Sequence, residues 1–251
     1  MASSATQGLA ALLILSAVSG ASAATPIWPP LPPVRPPELR QGQTAPAPVP
    51  APPQAAAPAA APAAPTNADA CLADLKADRV EAEPASAPPA PGAQCGVAAS
   101  VRLKSIGLTN GAAIDLPARP MLDCPFAKVF AGFVRDLVAP LSQATLGASV
   151  VALDTGPGYD CRPQDHVPGA NISPHGTGIA IDVAGFVLAD KRRLNVGHDA
   201  GPREAAFMQT IRRAGCGWFT TILGPGDPDH AEHFHFDIKQ HGSSENYRIC
   251  Q

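Results

Sequence analysis

Three histidines fall within six residues of this chain, as His230, His233 and His235, and a fourth, His175, sits seven positions before Asp182. Imidazole nitrogens and carboxylate oxygens are ligands for a borderline divalent cation. Two imidazoles and one carboxylate, with a water in the fourth position, make an open catalytic zinc site. A cation held that way polarises a carbonyl and brings a bound water to a pKa of about 7. Any one of these histidines alone would be an ordinary polar residue on a strand. The clustering points to a metal, since five of the chain's seven histidines are His175 and members of the run 230–241.

The elements that must position them are readable from periodicity. GIAIDVAGFVLA (178–189) alternates, with Ile179, Ile181 and Val183 on one face and Ala180, Asp182 and Ala184 on the other. The two alanines leave room above Asp182. His175 lies just before this strand, where Gly176 and Gly178 let the backbone turn and approach closely. HFHFDI (233–238) alternates too, with Phe234, Phe236 and Ile238 against His233, His235 and Asp237. Two strands, each with one apolar face and one face of His and Asp, can converge on a single ion. Around them, FAKVFAGFVRDLVAPLSQAT (126–145) carries Phe130, Phe133, Val134 and Leu137 at helical spacing and predicts a core helix. ASVVALD (148–154) and GWFTTIL (217–223) predict strands, and 155–175 predicts a long polar loop. GPREAAFMQTIRRAG (201–215), with Pro202 near its start and Gly215 at its close, predicts a helix. The expected fold is α+β, a mostly antiparallel sheet packed on helices.

Composition divides the 251 residues sharply. Residues 1–23 read as a signal peptide, with the apolar run GLAALLILSAV and a small-residue cleavage site at Ala21-Ser22-Ala23, although MASSATQ supplies no basic residue. The run is shorter than the roughly 20 residues a membrane span needs, and no later segment is long enough, so no membrane span is expected. Residues 24–69, dominated by Pro and Ala with scattered polar residues, read as an extended spacer too poor in large apolar residues to build a core. The folded domain is expected over 70–251, with a second Pro/Ala patch at 83–94 as a surface loop. All six cysteines (Cys71, Cys95, Cys124, Cys161, Cys216, Cys250) follow the spacer, which predicts three disulfides and a secreted or periplasmic protein; the pairing is open. No two cysteines are close enough for a zinc ribbon. A net charge of −3 and no Lys/Arg run argue against a nucleic-acid partner.

Ser173-x-His175-x-x-Gly178-x-Ala180-x-Asp182 resembles, at every fixed position, the S-x-H-x-x-G-x-A-x-D signature of zinc peptidases that cleave bacterial cell-wall peptides. That group spans the D-alanyl-D-alanine carboxypeptidases, the murein endopeptidase and the hedgehog fold. Its third ligand is the last His of an H-x-H or E-x-x-H motif, and EHFH (232–235) satisfies both. The resemblance therefore implies one Zn2+ on His175, Asp182 and His235, and peptidoglycan peptides as substrate. It implies a catalytic base at His233, as in endopeptidase-like members, or at Glu232, as in carboxypeptidase-like ones; His233 is preferred. It also implies that Arg162, in YDCR, meets a substrate carboxylate or developing oxyanion. Ser173 is expected to bind substrate or cap a turn, and His230 to assist proton transfer or flank the site. His166, His198 and His241 are expected to stand apart. The segment from about 71 onward resembles the bacterial extensin-like C-terminal domain, through YDCR, the run from Cys216 to Gly226, H-x-x-H-F-H-x-D and a terminal Cys. The competing expectation is a wall-binding or structural module that keeps the fold without hydrolysis.

Overall fold

A computed structural model describes residues 66–88, 94–198, 201–243 and 247–251. The expected signal peptide and nearly all of the expected spacer lie outside the described residues, as does the 89–93 part of the second Pro/Ala patch.

The elements in chain order are α1 (Thr66–Ala77), β1 (Val80–Pro84), β2 (Ser100–Gly107), β3 (Ala113–Asp115), β4 (Met121–Asp123), α2 (Cys124–Phe133), α3 (Ala139–Leu146), β5 (Val150–Thr155), β6 (Ala180–Leu188), β7 (Arg193–Asn195), α4 (Pro202–Gly215), β8 (Thr221–Leu223), β9 (Phe234–Asp237) and β10 (Ile249–Cys250). The strands form one sheet in the order β1-β2-β3-β5-β6-β9-β8-β10, with β4 on β2 and β7 on β6. Every pairing is antiparallel except β3 with β5 and β8 with β10. The fold is α+β with a mostly antiparallel sheet, as the patterning implied.

The expected helix over 126–145 is a longer helical run, Cys124 to Leu146, interrupted by a π-helical turn at Val134–Val138. Pro140 gives a reason: it supplies no N–H, and its ring would meet the carbonyl four residues back. The widened turn just before it lets the Ala139 N–H donate to the Val134 carbonyl instead. The strand expected over 217–223 is only β8, because the N–H groups of Trp218 and Phe219 both donate to the Gly215 carbonyl at the end of α4. In the Pro/Ala patch, Glu83 and Pro84 belong to β1 rather than to a loop.

The core gathers around aromatic rings. Phe126, Phe130 and Phe133 of α2 face the sheet and the turn before β8, where Phe219 lies 6.2 Å from Phe126, 5.0 Å from Phe133 and 4.9 Å from Phe236 by ring centroids. On α4, Phe207 meets Phe186 of β6 edge-to-face at 5.2 Å. That helix is oriented for its own dipole, with Glu204 in the first turn and Arg212 and Arg213 in the last. The three disulfides are Cys71–Cys124, joining α1 to α2, Cys95–Cys161, joining two loops, and Cys216–Cys250, joining the end of α4 to β10.

Phe219 has no exposed surface and touches three other rings, so Phe219→Ala leaves a cavity that the disulfide-held frame cannot collapse. It should destabilise the domain by about 3–5 kcal/mol in equilibrium denaturant unfolding with the disulfides intact. A loss below about 1 kcal/mol would contradict this packing.

Candidate metal centre

In the antiparallel ladder of β6 and β9, Asp182 stands directly opposite His235. Side chains so paired have Cβ atoms about 4.5–5.5 Å apart on one face of the sheet, close enough to share an ion. The opposite face of β9 is anchored by Phe234 and Phe236, both buried. His175 arrives from outside the ladder, on a single 3-10 turn over Pro174–Thr177 that runs into β6. Ser173 caps this turn, its hydroxyl accepting from the His175 N–H at 3.4 Å. The turn ends at Gly178 in the left-handed region (φ 71°), where a Cβ would come within 2.8 Å of the Asp123 nitrogen. Only glycine satisfies both demands there.

Three atoms converge. His235 Nδ1 lies 3.0 Å from Asp182 Oδ1, His175 Nε2 lies 3.3 Å from the same oxygen, and the two ring nitrogens are 3.1 Å apart. Ligands at about 2.0–2.1 Å on a tetrahedral ion are separated by about 3.3 Å, so this triangle has close to the size of one tetrahedral face. Both rings have their remaining nitrogen tied down by an acceptor. His175 Nδ1–H donates to the Gly158 carbonyl at 2.7 Å, and His235 Nε2–H donates to Asp237 Oδ2 at 2.9 Å. Each bond fixes the tautomer that turns a lone pair toward the shared point, as acceptors behind metal-binding histidines do. The residues present therefore fit a divalent cation.

Charge balance favours the same conclusion. His175, His235 and Asp237 are 3%, 6% and 2% exposed, and Asp182 is only partly exposed. With both rings neutral, the two carboxylates leave a buried charge of about −2, which a divalent cation cancels. Without a cation, protons must serve. Burial works against protonating His235, but hydrogen bonds to Asp182 and Asp237 outweigh it and push its pKa up to about 9. Burial likewise raises the Asp182 carboxyl, and the hydrogen bonds and charges of His175 and His235 more than reverse that, holding it well below the usual carboxylate range.

The other expected residues divide. His233 Nε2 lies 3.7 Å from Asp182 Oδ1, beside the convergence point. Glu232 is exposed in the turn before β9 and makes no ion pair among the described residues. Arg162 pairs through Nε with Asp160 at 3.0 Å. Its side chain lines a cleft of about 140 Å³ beside His235, together with Ser173, His230, Lys239 and His241. His230 donates from Nδ1 to Asp227 at 2.6 Å. His166 is exposed, and His198 turns to the Val196 carbonyl. His241 does not stand apart as expected: it lines the cleft and bonds the Thr221 hydroxyl at 2.7 Å. Asp237, expected from the sequence as a supporting or surface group, stands behind His235, whereas Asp227 and Lys239 were not singled out. The H-x-D spacing on a strand was the available signal for Asp237, since residues two apart share a face. Lys239 and His241 follow the end of β9, where no periodicity places a side chain.

Residues 69–251 match the family described as Extensin-like protein C-terminus. No curated protein and no solved structure matches the chain.

Gly158 has φ 78°, and a Cβ there would strike the Met121 carbonyl oxygen. Gly158→Ala should displace the carbonyl that orients His175 and weaken the binding of a divalent cation by about 10–100-fold with circular dichroism unchanged; equal affinity in a competition titration would refute that role. The raised pKa of His235 sets a pH dependence. Protonation of this ring stabilises the metal-free fold fully below its unfolded pKa of about 6.5, and that stabilisation is lost as pH rises through about 9. Metal-free protein should therefore melt lower at pH 9 than at pH 6.5. Uptake of a divalent cation at pH 7 would have to expel that proton, so calorimetry in buffers of different ionisation heat should find about one proton released per cation bound.

Proposed function

The chain belongs to the extensin-like protein C-terminus family, and on that footing we propose that it is an exported zinc hydrolase of peptide or amide bonds in peptidoglycan. The observation that carries this reading is the convergence of His175 Nε2, Asp182 Oδ1 and His235 Nδ1 beside an open cleft, with both rings locked in the ligating tautomer. Three protein ligands leave a coordination position for water or substrate, which separates a catalytic site from a closed structural one. The kinship with cell-wall zinc peptidases rests on the S-x-H-x-x-G-x-A-x-D run at 173–182 and EHFH at 232–235. Three disulfides support an oxidising, secreted or periplasmic setting. No helix among the described residues is long and apolar enough to cross a membrane.

A divalent cation bound here would supply Lewis acidity, polarising the scissile carbonyl and making a water nucleophilic near neutral pH. The chain's own groups do the rest. Burial holds the His233 ring below its ordinary pKa, against the pull of Asp182, so at pH 7 it is neutral and able to accept a proton from the attacking water. Glu232, exposed in the turn before β9 and without a hydrogen bond or ion pair to the ligands among the described residues, is the weaker candidate. Arg162 spends its Nε on Asp160 and keeps its other donors for an oxyanion or carboxylate in the cleft.

The test uses the full chain, loaded with zinc and incubated with purified muropeptides, crosslinked and uncrosslinked, with products read by mass spectrometry. Wild type should bind about one zinc and generate new fragments. His175→Ala should lose both metal and products. His233→Ala should keep the metal and lose about 10²–10⁴-fold in rate. A zinc-loaded wild type that leaves every muropeptide intact would replace the hydrolase with a wall-binding or structural module.

A further inference from the structure

The loop between β8 and β9 carries a second ordered histidine that the ligand triangle does not use. His230 is nearly buried, its side chain 12% exposed, and its ring centroid lies 5.0 Å from His233 and 5.6 Å from His235. Its Nδ1 is 2.6 Å from Asp227 Oδ1, at the short end for a charge-assisted hydrogen bond. Asp227 also serves the loop's own turn, because its Oδ1 accepts the Asp229 N–H at 3.3 Å and its backbone carbonyl accepts the His230 N–H at 3.2 Å. The turn needs neither an imidazole at 230 nor so short a contact to it. The loop is braced from below: Arg212 Nη1 donates to the Pro225 carbonyl at 2.8 Å, and the Asp227 N–H donates to Gly224 at 2.9 Å. No other hydrogen bond to the His230 ring occurs among the described residues, and the ring lines the cleft beside His235.

Resting on the hydrolase reading above, we propose that Asp227 is a positioning residue that holds His230 as its Nδ1–H tautomer, so that Nε2 faces the cleft and passes a proton to the departing amine. A carboxylate behind an imidazole fixes both ring orientation and tautomer, and it stabilises the cation that forms while a proton is held. The atoms balance. Water adds its oxygen to the carbonyl carbon and gives up one proton, which is taken by His233 and passed to the Nε2 lone pair of His230, 5.0 Å away by ring centroids. His230 is then an imidazolium held by Asp227, and as the C–N bond breaks its Nε2 gives that proton to the amine, which returns the ring to its neutral Nδ1–H form. One histidine thus accepts the water's proton while the other serves the leaving group. The hydrogen bond from His230 also holds the Asp227 carboxyl below its usual range, so the anchor is ionised throughout the neutral range.

The experiment uses full-chain protein with ¹⁵N-labelled histidine, wild type against Asp227→Asn, a near-isosteric change that removes the acceptor charge. Long-range ¹H–¹⁵N spectra of the zinc-loaded protein should show His230 as the Nδ1–H tautomer in wild type and a mixture in Asp227→Asn, with zinc content unchanged. On muropeptides, Asp227→Asn should lower kcat by on the order of 10²-fold with KM nearly unchanged. His230→Ala should regain part of its rate when imidazole is added. A His230 found as Nε2–H in wild type, or an Asp227→Asn variant with wild-type tautomer and kcat, would overturn the proposal. A wild type with Nδ1–H at His230 and no turnover would instead sink the hydrolase reading and leave the positioning role of Asp227 standing.

Discussion

Asp182 and His235 face each other across the β6–β9 ladder, and the rest of the site depends on that pairing. Side-chain direction in a sheet has a period of two, so a slip of one residue would put a phenylalanine opposite the carboxylate and turn His235 into the core. The register is fixed by the apolar faces: Phe236 pairs with Ile181 and Phe234 with Val183, all buried. Hydrophobic burial thus sets the position of the polar pair. The pair, with Asp237 two residues beyond His235, brings two negative carboxylates and an imidazole into a buried space, an arrangement that is costly unless protons or a cation balance it.

His175 is not on a strand, and its placement is assembled from a different set of contacts. Its turn is held on one flank by the Gly96 N–H to the Gly176 carbonyl and on the other by the Asp160 N–H to the His175 carbonyl. The Cys95–Cys161 disulfide joins those same two flanking segments. A short turn has few internal hydrogen bonds with which to resist displacement. Here a covalent link, the Gly158 carbonyl on the ring and the Asp123 N–H on the Gly178 carbonyl take that part. Arg162 follows Cys161 directly, so the same link that steadies a ligand also places a cation at the cleft.

Long, strongly alternating or helical segments were legible. β6 and β9 fall within the stretches whose alternation predicts them, and α4 starts at the proline that marks it. The strands β3, β4 and β7 have three residues each, too few for a period to show. The π-helical turn ahead of Pro140 leaves the apolar spacing of the helix nearly unchanged and so was invisible in it. In the site, the strand face carrying His233, His235 and Asp237 was readable, whereas His241 and Lys239 reach the cleft from irregular chain.

What the sequence determined by itself was local: which residues carry ligand chemistry, which faces of two strands are polar, and that six cysteines close into disulfides. Those properties follow from side-chain type and short-range periodicity. The tertiary structure alone decided which atoms meet. That His235 offers Nδ1 while His175 offers Nε2, that Asp237 and Gly158 stand behind them, and that Cys95 pairs with Cys161 all depend on contacts between segments far apart in the chain. Such contacts are fixed by sheet register and core packing, which no local stretch encodes.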